Sequence, residues 1–295
     1  MRAGIIINPY AGRQRGLSPE SRARLAEDAL RECGVEGSVA FTQEVGSAGN
    51  LARGMIEQGM TTLVAWGGDG TVNEVASATA RAGLHFGIVP GGSGNGLARE
   101  LGIERRPADA LRTALQGAER SIDMGEIAGR MFTNVAGVGF DAHLAGVFNT
   151  LARRGRVAYI RTGLRELLAY DSVEYTLEAG NVTLRRRAFV VAVANGRQYG
   201  GGAVIAPPAK LDDGRLEVVV LPPRSPWAAL WQARRLFTGK IDCIPGVQMF
   251  TVDRATLSAD RPLVYHVDGE VFEGERSLKV KVLPRVLCVR VPPRG

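Results

Sequence analysis

Thr62-Leu63-Val64-Ala65-Trp66-Gly67-Gly68-Asp69-Gly70-Thr71-Val72-Asn73-Glu74-Val75 decides the fold. An apolar run ends in glycines and opens a helix-like segment that extends to Ala80. A strand-to-helix turn of this kind leaves free backbone N–H groups at the positive end of a helix dipole, where anionic phosphate binds well. Glycines without a Cβ let the backbone come close to the phosphates, and Asp69 is placed to hold a metal or a water.

The next βα unit carries a second turn of the same character. Phe86 to Val89 is a short apolar run, and Pro90-Gly91-Gly92-Ser93-Gly94-Asn95-Gly96 follows it. Neither turn is one of the better-known phosphate loops. No G-x-x-x-x-G-K-[ST] occurs, and Thr238-Gly239-Lys240-Ile241 lacks both the upstream glycine and the hydroxyl. Gly68-Asp69-Gly70-Thr71-Val72-Asn73 breaks the dinucleotide fingerprint at its third glycine. A single Gly-rich turn is most simply a plain connection, but two in one α/β pattern point to a nucleotide site.

Around these turns, strands and helices alternate. Strands are expected at 3–7, 38–42, 62–66 and 86–89, with helices near 19–33, 47–58, 72–80, 95–101 and 107–117. Ser18 and Pro19 are suited to the start of the first helix. Alternation predicts a mostly parallel, Rossmann-like sheet with ligands at the carboxyl ends of its strands. Asn8, Thr42, Gly67 and Gly91 would gather at that edge. After about residue 122 the segments become strand-like: 131–136, 172–179, 182–194, 215–221, 247–258, 277–283 and 286–291. Helical pieces near 142–151, 156–169 and 225–237 interrupt them. The expected architecture is therefore an α/β nucleotide-binding domain over 1–125 and an antiparallel β-sandwich over 126–295, whose final strands could fold back on the first domain.

Bulk composition narrows the classes further. The 295 residues are 45% hydrophobic and 23% charged, ordinary values for a globular protein. A formal net charge of +7 favours anionic surroundings. Cys33, Cys243 and Cys288 form no C-x-x-C or zinc spacing, which fits a reducing compartment without a disulfide framework. His85, His143 and His266 are scattered, with no H-E-x-x-H, so a zinc site is not expected. Ile5-Ile6-Ile7 stops at Asn8-Pro9, too short for a signal peptide, and nothing approaches the about 20 apolar residues of a membrane span. The expected location is cytoplasmic, at most peripheral to a membrane. Aromatics at 6% and the lack of a recognisable module argue against nucleic acid as a partner.

Several stretches together resemble the diacylglycerol kinase catalytic domain, and more closely the bacterial diacylglycerol/lipid kinase family. They are the Gly67–Val75 and Pro90–Arg99 turns, Ile7-Asn8-Pro9-x-Ala11-Gly12, Ile122-Asp123-Met124-Gly125, Asn195-Gly196 through Gly202, Ala209 to Leu216, and His266-Val267-Asp268-Gly269-Glu270. The resemblance implies ATP held by Asn8, Thr42, Gly67, Gly68, Asp69, Gly70, Thr71, Glu74, Gly91, Gly92, Ser93 and Asn95. It implies catalytic roles for Asp268 as general base, for Glu270 in orienting it or assisting at the metal, and for Asp69. It also implies Mg2+ at Asp69 and Asp123, and a structural Mg2+ at Asp213 with the carbonyls of Lys210 and Arg215, Asp212 being the alternative ligand. Read without the resemblance, Asp123 is a strand-end residue, while Asp268-Gly269 and Asp213-Gly214 are hairpin turns.

One departure bears on the acceptor. Many bacterial members carry Asn-Asp-Phe-Ala-Arg where this chain has Asn95-Gly96-Leu97-Ala98-Arg99, which is closer to the sphingosine kinase version. The implied activity is ATP- and Mg2+-dependent phosphorylation of a lipid hydroxyl, with diacylglycerol as acceptor. Sphingoid bases, NAD (through the shared Gly-Gly-Asp-Gly-Thr) and a non-catalytic binding protein are the alternatives. Partners would be lipid at a membrane surface and, as a further option, a second copy of the chain. Leu144, Val147, Phe148, Leu151, Tyr159, Leu164 and Leu168 could line a lipid slot, though such stripes are usually core. Arg153, Arg154 and Arg156 could meet anionic lipid there.

Overall fold

The computed structural model describes residues 1–12, 17–44, 46–150 and 156–293. The chain divides into two compact units. The first comprises Met1–Met124 and Pro284–Gly295, the second Gly125–Leu283.

In the first unit β1 (Arg2–Ile7), α1 (Pro19–Glu32), β2 (Glu36–Phe41), α2 (Ser47–Glu57), β3 (Thr62–Gly67), α3 (Asp69–Ala82), β4 (His85–Pro90), α4 (Gly96–Glu100) and α5 (Pro107–Gln116) follow in order, then β5 (Ala118–Ile127). The sheet runs β2-β1-β3-β4, every pairing parallel. Ile5, Ile6, Ile7, Leu63 and Val64 are fully buried, as continuous apolar strands covered by helices must be. Ser18 caps α1 by accepting from the Ser21 amide, with Pro19 in the first turn.

The register fixes what meets at the sheet's carboxyl edge. Ile7 pairs with Phe41 and Trp66, and Gly67 with Pro90. Asn8, Thr42, Gly68 and Gly91 follow those positions directly, so four strands end side by side.

The second unit is antiparallel and two-layered. Its elements are β6 (Arg130–Phe132), β7 (Val135–Gly139), α6 (Phe140–Thr150), α7 (Arg156–Ala169), β8 (Val173–Ala179), β9 (Val182–Ala188), β10 (Val190–Ala194), β11 (Gln198–Gly200), β12 (Ala203–Val204), β13 (Leu216–Leu221), α8 (Pro226–Gln232), α9 (Arg234–Thr238), β14 (Gln248–Val252), β15 (Arg254–Ser258), β16 (Val264–Val267), β17 (Glu270–Glu273) and β18 (Ser277–Val291). One sheet runs β14-β13-β10-β7-β16-β17. The other pairs β9 with β8, β8 with β15, and β15 with the first half of β18. Val191, Val193, Val218 and Tyr265 of one layer share a buried core with Tyr175, Leu177, Leu257 and Leu278 of the other. This is the expected sandwich.

Three boundaries differ from the sequence reading. Residues 182–194 are two strands, β9 and β10, that belong to different layers and part at Phe189. Residues 247–258 part likewise at Asp253. Neither crossing carries a glycine, proline or Asn-Gly turn signal, so the extended stretch reads on through it. Conversely, 277–291 is one strand, β18, with Arg285 at φ 50°. Its last residues leave the sandwich and pair in parallel with β4, Cys288 opposite His85 and Val289 opposite Phe86.

Candidate active site

The two glycine turns of the first unit are in direct backbone contact. A Cβ on Gly92 would lie 2.7 Å from Gly68 Cα, and one on Gly67 would lie 2.5 Å from the Thr71 side chain. Both positions therefore exclude side chains for packing reasons. The Gly91 amide donates to the Gly67 carbonyl at 2.7 Å. Asp69 ties the turns together: its carboxylate accepts from the Asn95 amide at 2.9 Å and the Gly96 amide at 2.6 Å. Asn95, at φ 51° and buried, exchanges two bonds with Gly92, accepting its N–H at 2.8 Å and donating to its carbonyl at 2.7 Å.

These bonds redistribute the expected phosphate donors. The amides of Gly91, Gly92, Asn95 and Gly96 are committed inside the protein. The first turn of α3 carries no side-chain cap, and Gly68, Asp69 and Gly70 are half exposed there. An uncapped, accessible first turn of this kind is the sort of place where an anion can bind. Ser93 is exposed on the second turn. Asn8 donates to the Thr71 hydroxyl at 3.1 Å, which links β1 to the same turn. The buried Arg22 holds the Asn8 and Ala11 carbonyls at 3.0 and 2.7 Å. Thr42 is buried, with its amide on the Ile7 carbonyl, and Glu74 accepts the Gly49 amide at 2.9 Å. Both brace the edge.

Asp123 has a different setting from the expected one. It is wholly buried, and its carboxylate accepts the amide of Arg285, the positive-φ residue of β18, at 2.7 Å. A hydrated Mg2+ needs a solvent-facing carboxylate, so Asp123 fits a brace for that irregular strand rather than a metal ligand.

In the second unit Asp268 and Gly269 have φ of 46° and 90° and join β16 to β17 as a two-residue hairpin turn. The Asp268 carboxylate does not face solvent alone. It accepts the amide and hydroxyl of Thr133 at 2.7 and 2.9 Å, the amide of Asn134 at 2.9 Å and that of Val135 at 3.0 Å. Four donors saturate a carboxylate's four acceptor positions. Glu270 opens β17 opposite Val267 and is half buried.

Beside the turn lies a group that sequence reasoning missed. Asp141, in the first turn of α6, accepts the Tyr199 hydroxyl at 2.9 Å and lies 3.1 Å from His266 Nε2. The Gly269 amide donates to His266 Nδ1 at 3.4 Å, which assigns the ring proton to Nε2, facing Asp141. Burial, then the charge and hydrogen bond of Asp141, push the Tyr199 phenol well above its ordinary value. A Cβ on Gly137 would lie 2.6 Å from Asp141 Oδ2, so a side chain there would push Asp141 off its present partners. Phe140-Asp141 directly after Gly137-Val138-Gly139 was the available signal.

The remaining expected residues are placed as follows. Asp213 is exposed and accepts the Arg215 amide at 3.1 Å, with Lys210 exposed at the other end of the turn. A cavity of about 300 Å³ in the second unit is lined by His143, Tyr170, Tyr175, Arg261 and Leu263 among others. Leu144 and Val147 are half buried and Leu168 is exposed. Leu151, Arg153 and Arg154 lie outside the described residues, as do the side chains of Phe148, Arg156, Tyr159 and Leu164. The cysteines are free. His85, Glu119 and Cys288 do converge, their donor atoms within 4.8 Å, but Glu119 already pairs with His85 and Arg290, each at 3.0 Å. No helix among the described residues is long and apolar enough to cross a membrane.

Comparison with known proteins follows this geometry closely. The diacylglycerol kinase catalytic domain matches residues 2–127, and the YegS C-terminal NAD kinase beta sandwich-like domain matches 134–291. The "Probable lipid kinase YegS-like" of Pseudomonas aeruginosa (strain PAO1) is 35% identical over 285 residues, covering 95% of this chain and 92% of that protein. The protein of the same description from Chromohalobacter salexigens is 32% identical, covering 93% and 89%. In fold, the chain is similar to the crystal structure of a "putative diacylglycerol kinase" from Bacillus anthracis str. Sterne. The TM-score is 0.80 at 20% identity, over 99% of this chain and 97% of that one. Fold and relatives together define a phosphotransferase with an alcohol group as acceptor. The chain belongs to the YegS-like lipid kinases, of the diacylglycerol kinase type.

Proposed function

We propose that the chain transfers the γ-phosphate of ATP to the hydroxyl of diacylglycerol, giving phosphatidic acid, with Mg2+ as cofactor. The observation that carries this reading is the pair of glycine turns stitched by Asp69 below the uncapped start of α3. Phosphoryl transfer mostly needs positioning and charge neutralisation around the γ-phosphate. The first-turn amides of α3 would supply donors to the phosphates, supported by the Thr71 and Ser93 hydroxyls. The amides of the second turn keep that turn in register instead.

Mg2+, when bound, neutralises phosphate charge. Asp69 suits it, being a half-exposed carboxylate at the turn, whereas buried Asp123 does not. Asp213, exposed and with one amide bond, suits a structural cation held also by the carbonyls of Lys210 and Arg215. On the acceptor side, Asp268 is assigned the lipid hydroxyl's proton, with Glu270 beside it in the hairpin. Of the four donors from Thr133–Val135 only the Thr133 hydroxyl can rotate away, so that bond would open for Asp268 to take a proton.

The test is transfer from γ-labelled ATP, with and without Mg2+, to diacylglycerol, monoacylglycerol, sphingosine, ceramide and undecaprenol in mixed micelles, with NAD as a soluble control. Labelled phosphatidic acid that requires Mg2+ is the expected result. Labelled sphingosine phosphate would move the acceptor, labelled NADP would replace the reading with an NAD kinase, and nucleotide binding without any product would leave a binding protein.

A further inference from the structure

Three large aromatic side chains stand exposed on α8 and α9. Trp227 is 71% exposed, Trp231 61% and Phe237 66%. Nothing else in the described chain concentrates apolar area in this way: the remaining exposed large hydrophobics are scattered singly. Trp227 and Trp231 are four residues apart, so they share one face of α8. Leu236 points the other way and packs on the buried cluster of Ile241 and Ile244, which anchors the segment to the sandwich. Ser225 caps α8 through the Ala228 amide, with Pro226 in its first turn. The helix is thus locally built, and the tryptophans are its outward face.

The charge of the segment is one-sided. Residues 222–241 contain Arg224, Arg234, Arg235 and Lys240 and no aspartate or glutamate. Arg234 and Lys240 are exposed. Arg235 lies with its guanidinium 5.8 Å from the Trp231 ring centre, so cation and indole are presented together. Amphipathic rings with a polar N–H edge suit the bilayer interface, and adjacent arginines and lysines suit anionic headgroups.

We propose that Trp227, Trp231 and Phe237, with Arg234 and Lys240, form the surface by which the protein docks on an anionic lipid bilayer. Charge decides between the possible occupants. A second copy of the chain, meeting this face with the same face, would bring Arg234, Arg235 and Lys240 against the same three cations, with only Asp242, just past the segment, to offset them. An anionic bilayer offers the complementary charge and an apolar layer for the rings. The inference deepens the lipid-kinase reading by naming where the protein would meet its substrate's membrane, yet docking itself needs no turnover.

The test uses the full chain with sonicated vesicles of equimolar phosphatidylglycerol and phosphatidylcholine, without diacylglycerol or ATP. Trp66 is buried, so the two α8 tryptophans dominate any change in indole emission. We expect a blue shift and co-sedimentation with these vesicles, and much weaker binding to pure phosphatidylcholine. Trp227→Ala/Trp231→Ala/Phe237→Ala should lower vesicle affinity at least tenfold while its thermal unfolding stays that of the wild type. Arg234→Glu/Lys240→Glu, which leaves the aromatics in place, should also weaken anionic-vesicle binding. Unchanged binding in both variants overturns the proposal. So does a wild-type dimer, seen without vesicles, that the aromatic triple variant dissolves. Phosphorylation of a short-chain, water-dispersed acceptor should be equal in wild type and both variants. Its absence in all three would count against the kinase reading and leave the docking result standing.

Discussion

Asp69 and Asp268 are two carboxylates at two tight turns, and they are held in opposite ways. Asp69 collects two amides from a neighbouring turn at one end of a parallel sheet. It is half exposed beside the uncapped start of α3. Asp268 collects four donors from a single stretch, Thr133–Val135, inside the antiparallel unit. The first binds a loop while staying near the surface where a nucleotide would lie. The second already accepts four hydrogen bonds, and this cage would have to release one for it to take up a proton. Both carboxylates are half exposed, so what separates them is the number and source of the donors each already holds.

The sharpest way to break this contrast is to remove each charge in turn. In Asp268→Asn the new NH2 faces backbone donors, so at least one amide and its partner lose their acceptor. Each buried donor left unmade costs about 1–3 kcal/mol. If Asp268 is also the base, phosphoryl transfer should fall ~10²–10⁴-fold. Asp268→Asn should therefore lower both thermal stability and kcat, with KM for ATP unchanged. A fall in kcat at wild-type Tm would mean that the cage is open in solution and Asp268 acts as a base alone. A fall in Tm with full kcat in the folded fraction would remove it from the chemistry and leave it a brace.

Gly92→Ala tests the other turn with a smaller expected effect. Its Cβ would lie 2.7 Å from Gly68 Cα, a backbone atom that cannot swing aside. The two turns must part by several tenths of an ångström, which should misplace the γ-phosphate and lower kcat/KM by about 10²-fold. Because Asp69 still bridges the turns, the loss should appear mainly in ATP affinity, measured by titration calorimetry, with Tm little changed. Gly146→Ala is the matched control, since the nearest atoms to its Cβ would be ordinary contacts at 3.8 and 3.9 Å. If both alanines behave alike, backbone contact between the turns is not what shapes the phosphate site.

What could be read from the sequence follows the same divide. The Gly67–Thr71 and Pro90–Gly96 turns are legible because the decisive features, glycines between a strand and a helix, are contiguous. Asp268-Gly269 is legible as a hairpin turn for the same reason. Its cage is not, because the donors lie more than 130 positions away in sequence. Asp141, Tyr199 and His266 come together across 58 and 125 positions, and no spacing rule links them. The layer changes at Phe189 and Asp253 are hidden because the chain stays extended through both without a glycine or proline to mark a break. Trp227 and Trp231 show the limit in reverse. Their spacing reads as one helix face, and the ordinary expectation for such a face is burial, whereas here it lies outside.

The smallest prediction compares Asp268 with a second acid of the same unit. Glu217 on β13 is 6% exposed, yet among the described residues its carboxylate accepts from the Thr251 hydroxyl alone, at 2.9 and 3.1 Å from its two oxygens. Burial raises its pKa, and the charge of Asp213 adds to that, while Thr251 works against both. With the folded value above the unfolded one near 4.3, Glu217 contributes stability below about pH 4 that is lost as pH rises through the folded value. Glu217→Gln keeps an acceptor for Thr251 and has no charge to bury. Its Tm relative to wild type should therefore climb between pH 4 and pH 7, by roughly 2 °C. A flat difference would mean that the buried carboxylate is solvated or ion-paired in solution. A rising one would show that, within one antiparallel unit, a carboxylate is tolerated as a charge where a strand end offers it amides, as at Asp268, and burdens the fold where mid-strand geometry offers only a hydroxyl.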